Sequence, residues 1–293
     1  MGHRWVVAIN PHAGRRPVDS TRVTAALREI GVEADVEAPT TTSDMRRVVA
    51  EAAVAERVAV VGGDGTVNLA VNTLLEQEVE RLPILGVLPT GTGCDLLRTF
   101  GIPQRLEEAA RHLVGDSVYE IDIGVLEGQW GTRRFANVAQ AGVGAAAVST
   151  AARLPRWFGS RRYILAFGAR LPRFPATEVS LVTPRRTYEG KALAVIFANA
   201  QFFAGGWNIA PKAMLVDGEF DLQVIDTPKS RAPQLVPKIM KGLHLADPAV
   251  TRISSPTFRL ETEIPWPIEV DGDPLGNTPV DGRVLPAALR LKI

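Results

Sequence analysis

The chain has one cysteine, Cys94. A lone thiol excludes an internal disulfide framework and any zinc site that needs two or more thiolates, and it suits a reducing compartment. An excess of one charge is also missing. Against 33 Lys and Arg stand 32 Asp and Glu, a formal net charge of +1, so no overall basic field announces nucleic acid. No segment approaches the roughly 20 apolar residues that span a membrane, and the opening MGHRWVVAINP lacks the apolar stretch of a secretory signal. Neither an internal repeat nor a low-complexity segment interrupts the chain. The phosphate-loop pattern GxxxxGK[ST] is absent, and GGDGT at 62–66 does not satisfy GxGxxG. These absences leave the expectation of a soluble cytoplasmic protein that binds no nucleic acid, with contact at a membrane surface still open.

What is present is enough apolar mass for a core. The 293 residues are 46% hydrophobic and 22% charged, which fits one large or two medium domains. The first part alternates strand and helix signals. RWVVAIN reads as a buried strand, and STRVTAALREIG as a helix that stops at Gly31. VEADVEA reads as a short strand, and TTTSDMRRVVAEAAVAE as a helix with Thr and Ser available as caps. RVAVVGG, TVNLAVNTLLE and PILGVLPTGTG continue the pattern, which implies a parallel sheet covered on both faces. From about Val118 the runs become short and alternating, as in EVSLVTP, EFDLQVID, PTFRLETE and ALRLKI. They read as antiparallel strands interrupted by two helices, SRRYILAFGARL and RAPQLVPKIMKGL. The expected fold class is α/β plus β. A doubly wound, Rossmann-like parallel-sheet domain covers 1–120 and an antiparallel β-sandwich covers 121–293, with the last residues packing back on the first domain.

Three glycine-bearing turns follow predicted parallel strands: NPHAG at 10–14, GGDGT at 62–66 and PTGTG at 89–93. In an open parallel sheet such loops share the edge where ligands bind. Glycine admits close backbone approach, and a following helix offers free N–H groups to a phosphate. Three such loops point to a nucleotide. Asp64, set among the glycines, would repel phosphate unless a cation stands between them.

VVGGDGTVN resembles the signature shared by diacylglycerol kinases, sphingosine kinases and NAD kinases. LPTGTGCDLLRTFGIP is similar to the next motif of the diacylglycerol kinase catalytic domain, and GGWNIAPKAMLVDGEFDLQVI and IEVDGDP resemble its later segments. Ordered motifs thus run from NPHAG to VDGDP. The resemblance implies a lipid kinase that uses ATP and Mg2+ to phosphorylate a hydroxyl of a diacylglycerol-like lipid, which would arrive in the cleft between the domains. It places Asn10, Gly62, Gly63, Asp64, Gly65, Thr66, Asn68 and Thr92 at the nucleotide, with Thr40 or Thr41 near its base or ribose. Asp64, Asp95 and Asp122 match aspartates that hold magnesium partly through waters. Asp217, with the carbonyls of Met214 and Glu219, matches a separate structural magnesium site. Asp271 matches the catalytic-base motif, in which Asp273 replaces the usual Glu.

The chemistry agrees. Phosphoryl transfer needs charge neutralisation and alignment more than covalent help. Magnesium takes oxygen ligands and keeps several waters, and a positioned Asp can accept the proton of an alcohol. Simpler roles stand beside these: Asp95 as a helix cap, Asp122 as a turn acceptor, Asp217 and Asp271 as ordinary Asp-Gly turns. The chain departs from the family pattern at Cys94, where Asn is usual, and at Gly144, where Asp is common. Residues 152–175 interleave Arg153, Arg156, Arg161, Arg162, Arg170 and Arg173 with Trp157, Phe158, Phe167 and Phe174. That mixture suits peripheral contact with an anionic membrane surface, or else a helix with its aromatics inward and its arginines solvated. An exposed strand edge in the second domain would support a homodimer. Two other functions remain: an NAD kinase-type activity, disfavoured because no Asn-Glu dipeptide occurs, and a non-catalytic lipid- or nucleotide-binding protein.

Overall fold

The computed structural model describes residues 4–10, 13, 18–90, 94–159 and 161–293. They fall into two compact units, Met1–Ile121 with Ala287–Ile293, and Asp122–Pro286.

In the first unit β1 (Trp5–Ile9), α1 (Ser20–Glu29), β2 (Ala34–Glu37), α2 (Thr42–Glu51), β3 (Arg57–Gly62), α3 (Asp64–Leu75) and β4 (Ile84–Pro89) alternate along the chain. Two short helices follow, α4 (Asp95–Thr99) and α5 (Leu106–Ala109). The strands lie parallel in the order β2-β1-β3-β4; Val7 pairs with Val36 on one side and Ala59 on the other. RVAVVG and ILGVLP are almost wholly buried, as parallel strands covered on both faces must be. Helix α2 packs on α3, and α1 on α5. Asp19 starts α1 by accepting from the Thr21 N–H, and the helix buries Val23, Ala26 and Leu27, one stripe at helical spacing. That stripe closes a core around Trp5, Ile9, Val61 and Leu88.

The second unit contains β5 (Val118–Gly128, which begins in the first unit), β6 (Gly131–Phe135), β7 (Val138–Gly142), α6 (Val143–Ala151), α7 (Arg161–Arg170), β8 (Thr177–Val182), β9 (Thr187–Ala192) and β10 (Ala194–Ala198). The short β11 (Phe202–Phe203) and β12 (Trp207–Asn208) come next. They precede β13 (Phe220–Ile225), α8 (Ala232–Met240), β14 (Val250–Ser255), β15 (Thr257–Thr262), β16 (Pro267–Val270), β17 (Asp273–Asn277) and β18 (Val280–Lys292). One antiparallel sheet runs β14-β13-β10-β7-β16-β17. A second antiparallel set joins β9, β8, β15 and residues 280–283 of β18. Between them Phe197 of β10 stacks on Phe258 of β15 at 4.4 Å, and Phe220 meets the same ring edge-on at 5.4 Å. Strand alternation turns Ala194 and Ile196 to the opposite face, where α6, α7 and α8 cover them.

Two elements depart from the sequence reading. VGAAAVSTA forms α6, a third helix, with Val143, Ala145, Ala146, Ala147, Val148 and Ala151 buried. A helix buried around most of its circumference has no polar face, so its sequence carries no helical period. ALRLKI is not an antiparallel strand of the second unit; it lies with the first, on which the last residues were expected to pack. Arg290 and Leu291 pair in parallel with Ile84 and Leu85 of β4. Among the described residues no helix is long and apolar enough to cross a membrane.

Candidate active site

In the first unit the polar residues gather where β1, β3 and β4 end. Gly62 closes β3, Gly63 caps α3, and Asp64 is the first helical residue. A Cβ on Gly62 would fall 2.2 Å from Thr66 Oγ1, so only glycine lets the strand turn this tightly into the helix. Asn10, at the end of β1, donates from Nδ2 to Thr66 Oγ1 at 2.8 Å. Asp64 Oδ1 accepts the Asp95 N–H at 2.7 Å and so ties the start of α4 to the start of α3. The Thr90 N–H donates to the Gly62 carbonyl at 3.2 Å. Asn10, Asp64, Thr66 and Asp95 are therefore brought to one edge. Asn68 is buried one turn into α3. Around Gly65 a Cβ would meet nothing within 4 Å, which leaves the helix start open to an incoming group.

Thr40 and Thr41 follow the end of β2, beside β1. Thr41 caps α2, accepting from the Asp44 N–H at 3.0 Å and donating to Asp44 Oδ2 at 2.7 Å. Thr92 lies outside the described residues, as do Pro11, His12 and Gly14 of the first turn and Gly91 and Gly93 of the third. Asp95 is buried, with Arg98 Nε 3.2 Å from its Oδ1. Cys94 is fully buried, and burial, reinforced by the Asp64 and Asp95 carboxylates, pushes its thiol well above the ordinary range. A thiol held protonated is no nucleophile.

In the second unit Asp122 is buried, and its Oδ2 accepts the Gly218 N–H at 2.6 Å. Its own N–H donates to the Leu215 carbonyl at 2.6 Å. Asp122 thus joins the 214–219 loop. Asp217 Oδ1 accepts the Glu219 N–H at 3.1 Å. Partial burial, then the neighbouring Asp122 and Glu219 carboxylates, raise the Asp217 carboxyl above its ordinary range. Crowded carboxylates of this kind are relieved by a divalent cation. The Glu219 side chain is otherwise engaged with Arg185 at 2.6 Å and with Ser254. Among the described residues no three His, Cys, Asp or Glu side chains gather as a metal cluster. A magnesium ion here would keep several waters beside one or two carboxylates.

Asp271 and Gly272 form the two-residue turn between β16 and β17. Both have positive φ, +47° and +92°, the requirement of a type I′ hairpin. The Asp271 carboxylate accepts the N–H groups of Ala136, Asn137 and Val138 at 3.4, 3.3 and 3.0 Å. Asp273 is exposed, and its Oδ2 pairs with an Arg133 guanidinium N at 3.0 Å.

Sequence reasoning passed over Glu269, two residues before Asp271. It is fully buried; Oε1 accepts from Gln140 Nε2 at 2.7 Å and Oε2 from the Gly272 N–H at 2.8 Å. Burial, with the Asp271 and Asp273 charges adding to it, pushes this carboxyl up to about 8. The available signal was a single charge in an apolar strand leading into the Asp-Gly turn.

The model of the diacylglycerol kinase catalytic domain matches residues 4–126, and that of the YegS C-terminal NAD kinase beta sandwich-like domain matches residues 137–293. The chain belongs to the YegS and diacylglycerol kinase family of lipid kinases. Lipid kinase YegS of Escherichia coli K12 is 27% identical over 272 residues, 91% of this chain and 88% of that protein. The Pseudomonas aeruginosa UCBPP-PA14 protein named "Probable lipid kinase YegS-like" is 30% identical over 92% of this chain and 87% of its own length. A crystal structure described as a diacylglycerol kinase from Bacillus anthracis Sterne has the same fold, with a TM-score of 0.75 at 20% identity over 99% of this chain and 96% of that one. The kinase family implies ATP as phosphate donor.

Proposed function

We propose that this lipid kinase transfers the γ-phosphate of ATP, with magnesium, to a hydroxyl of a diacylglycerol-like lipid. The observation that carries the reading is the first-unit edge, where Asp64 and Asp95 meet beside the open helix start at Gly65. The first-turn N–H groups of α3 suit a phosphate chain, and Asn10 and Thr66 shape the wall beside it. Asp64, Asp95 and Asp122 would hold the magnesium that accompanies the nucleotide. Asp217, with the carbonyls of Met214 and Glu219, would hold a second, structural ion. Beside the nucleotide, the magnesium would neutralise charge on the transferring phosphoryl group.

In the transfer the lipid oxygen bonds to the γ-phosphorus, the bond to the ADP oxygen breaks, and the hydroxyl proton passes to a carboxylate of the Asp271–Asp273 turn. Asp271 is held by three main-chain N–H groups, which fixes the turn. Asp273 is exposed beside Arg133 and is the more open of the two to an incoming hydroxyl. Trp157, Ile164 and Leu165 are exposed near the arginines of 152–175, while Phe174 is buried, which supports peripheral membrane contact through this segment.

The test is radiolabelled ATP against a panel of lipid alcohols in mixed micelles, with and without magnesium. Labelled phospholipid that depends on magnesium is expected. Labelled NADP without lipid product, or no transfer to any acceptor, would overturn the reading.

A further inference from the structure

Glu269 is the single acid of β16, and strand register fixes its place. It stands opposite Gln140 of β7, which in turn stands opposite Ile196 of β10. Residues paired in this way share a face, so the Glu269 carboxyl lies on the side of the sheet that the helices cover, where it is fully buried. A buried carboxyl is costly unless its oxygens are bonded. Both have donors: the Gln140 amide reaches Oε1 at 2.7 Å, and the Gly272 N–H reaches Oε2 at 2.8 Å.

The second bond reaches the chemistry. Gly272 stands between Asp271 and Asp273, so Glu269 holds the turn at its centre while the N–H groups of 136–138 hold Asp271. Positions 269, 271 and 273 thus bring three carboxyls together. The elements packed on Glu269 offer no free cation: β7 is VAQAG, α6 is VGAAAVSTA, and β17 brings only Asp273, to which Arg133 is already paired. Like charges this close raise one another's affinity for a proton. Burial first, then these two neighbours, puts Glu269 at about 8. Gly144 leaves room for the Gln140 amide, because a Cβ there would fall 2.0 Å from Gln140 Oε1. Turned over in place, that amide can accept the O–H of a neutral Glu269.

We propose that Glu269 is a positioning residue for the proton transfer: it fixes Gly272 at the centre of the Asp271–Asp273 turn, and its negative charge keeps the accepting carboxylate basic. A base whose proton affinity lies nearer the working pH accepts a hydroxyl proton more readily. The inference rests on the lipid-kinase reading and adds to it a residue that acts only through the turn.

The test is the pH dependence of kcat for the full chain, with saturating magnesium ATP and the best lipid acceptor of the mixed-micelle panel. An ordinary Asp base is already ionised from about pH 6 to about pH 9.5 and gives a flat profile there. With Glu269 behind it, kcat should climb by about tenfold across that range, centred on the Glu269 value of about 8. Glu269→Gln keeps the shape and, with the Gln140 amide turned over, both hydrogen bonds, but it carries no charge. The climb should vanish in that variant while KM for ATP stays within about twofold. Gln140→Leu removes a donor from the ionised carboxyl, so it should carry the midpoint to higher pH, and it serves alone if Glu269→Gln fails to fold. The same climb in Glu269→Gln, or an unmoved midpoint in Gln140→Leu, overturns the role. Phosphorylation with a flat profile in the unaltered chain overturns the role alone; phosphorylation of no lipid at any pH overturns the kinase reading and the role with it.

Discussion

The two units carry their polar chemistry on different kinds of backbone. In the first, short side chains and glycines sit in loops after parallel strands, and the start of α3 stays open around Gly65. In the second, the carboxyls sit on antiparallel strands and a hairpin turn, and the structure already holds them: Asp271 by three N–H groups, Glu269 by Gln140 and Gly272. The first leaves its helix start uncovered at Gly65. The second is prebuilt, with its geometry fixed by hydrogen bonds before anything binds.

The largest effects should come from removing the carboxylates that this contrast sets apart. Asp273→Asn should lower lipid phosphorylation by about 10²–10⁴-fold while nucleotide binding and the urea midpoint stay unchanged. Asp271→Asn puts an amide NH2 against N–H donors, so it should cost about 1–3 kcal/mol of stability as well as activity, read by urea denaturation. If Asp271→Asn left stability intact and Asp273→Asn left turnover intact, the roles assigned to the two residues would be reversed.

Next in size is Gly62→Ala. Its Cβ would overlap Thr66 Oγ1, so about 1–3 kcal/mol of overpacking is expected, visible as a lower thermal midpoint.

A subtler effect is the response of the two units to pH, which should run in opposite directions. His112, buried in the first unit, is pushed down to about 4 from 6.5, chiefly by burial. Its unfolded form takes up a proton first, so it withdraws stability as pH falls from 6.5 towards 4. Glu269 is raised from 4.5 to about 8. It costs nothing below 4.5, and stability declines as pH rises through that window to 8. Hydrogen exchange followed by mass spectrometry should show the first unit loosening in acid and the second in alkali. Glu269→Gln should abolish the alkaline response alone. An unchanged alkaline response in that variant would assign it to another group.

The smallest effect concerns Cys94. Buried and held as a thiol, it should resist a disulfide reagent in the native protein and react fully in urea. Rapid native labelling would mean that the start of α4 opens readily.

The fold class was legible because RVAVVG and ILGVLP are continuous apolar runs, whereas the later strands alternate. Helix α6 was not, since VGAAAVSTA is small and apolar on every side and has no period to detect. ALRLKI alternates just as a strand of the sandwich would, and alternation does not name the neighbour a strand pairs with. Among the site residues, Asp64 and Asp95 stood out through the motifs that carry them. Glu269 did not, because its significance comes from Gln140, 129 positions away in the chain and opposite it across β7 and β16. Gly144 looked like a lost side chain. The structure gives it a positive reason, the space that Gln140 occupies.

The pairing of Arg290 and Leu291 with β4 bears on how the chain is made. The second unit is an insertion into the first, whose sheet is not complete until residues 287–293 have left the ribosome. During synthesis, residues 122–286 can settle while β4 still presents an unpaired edge, so the unit that begins the chain is the last to finish folding. That interval, with apolar strands ready to pair with any passing edge, is the stage at which a chaperone would matter most.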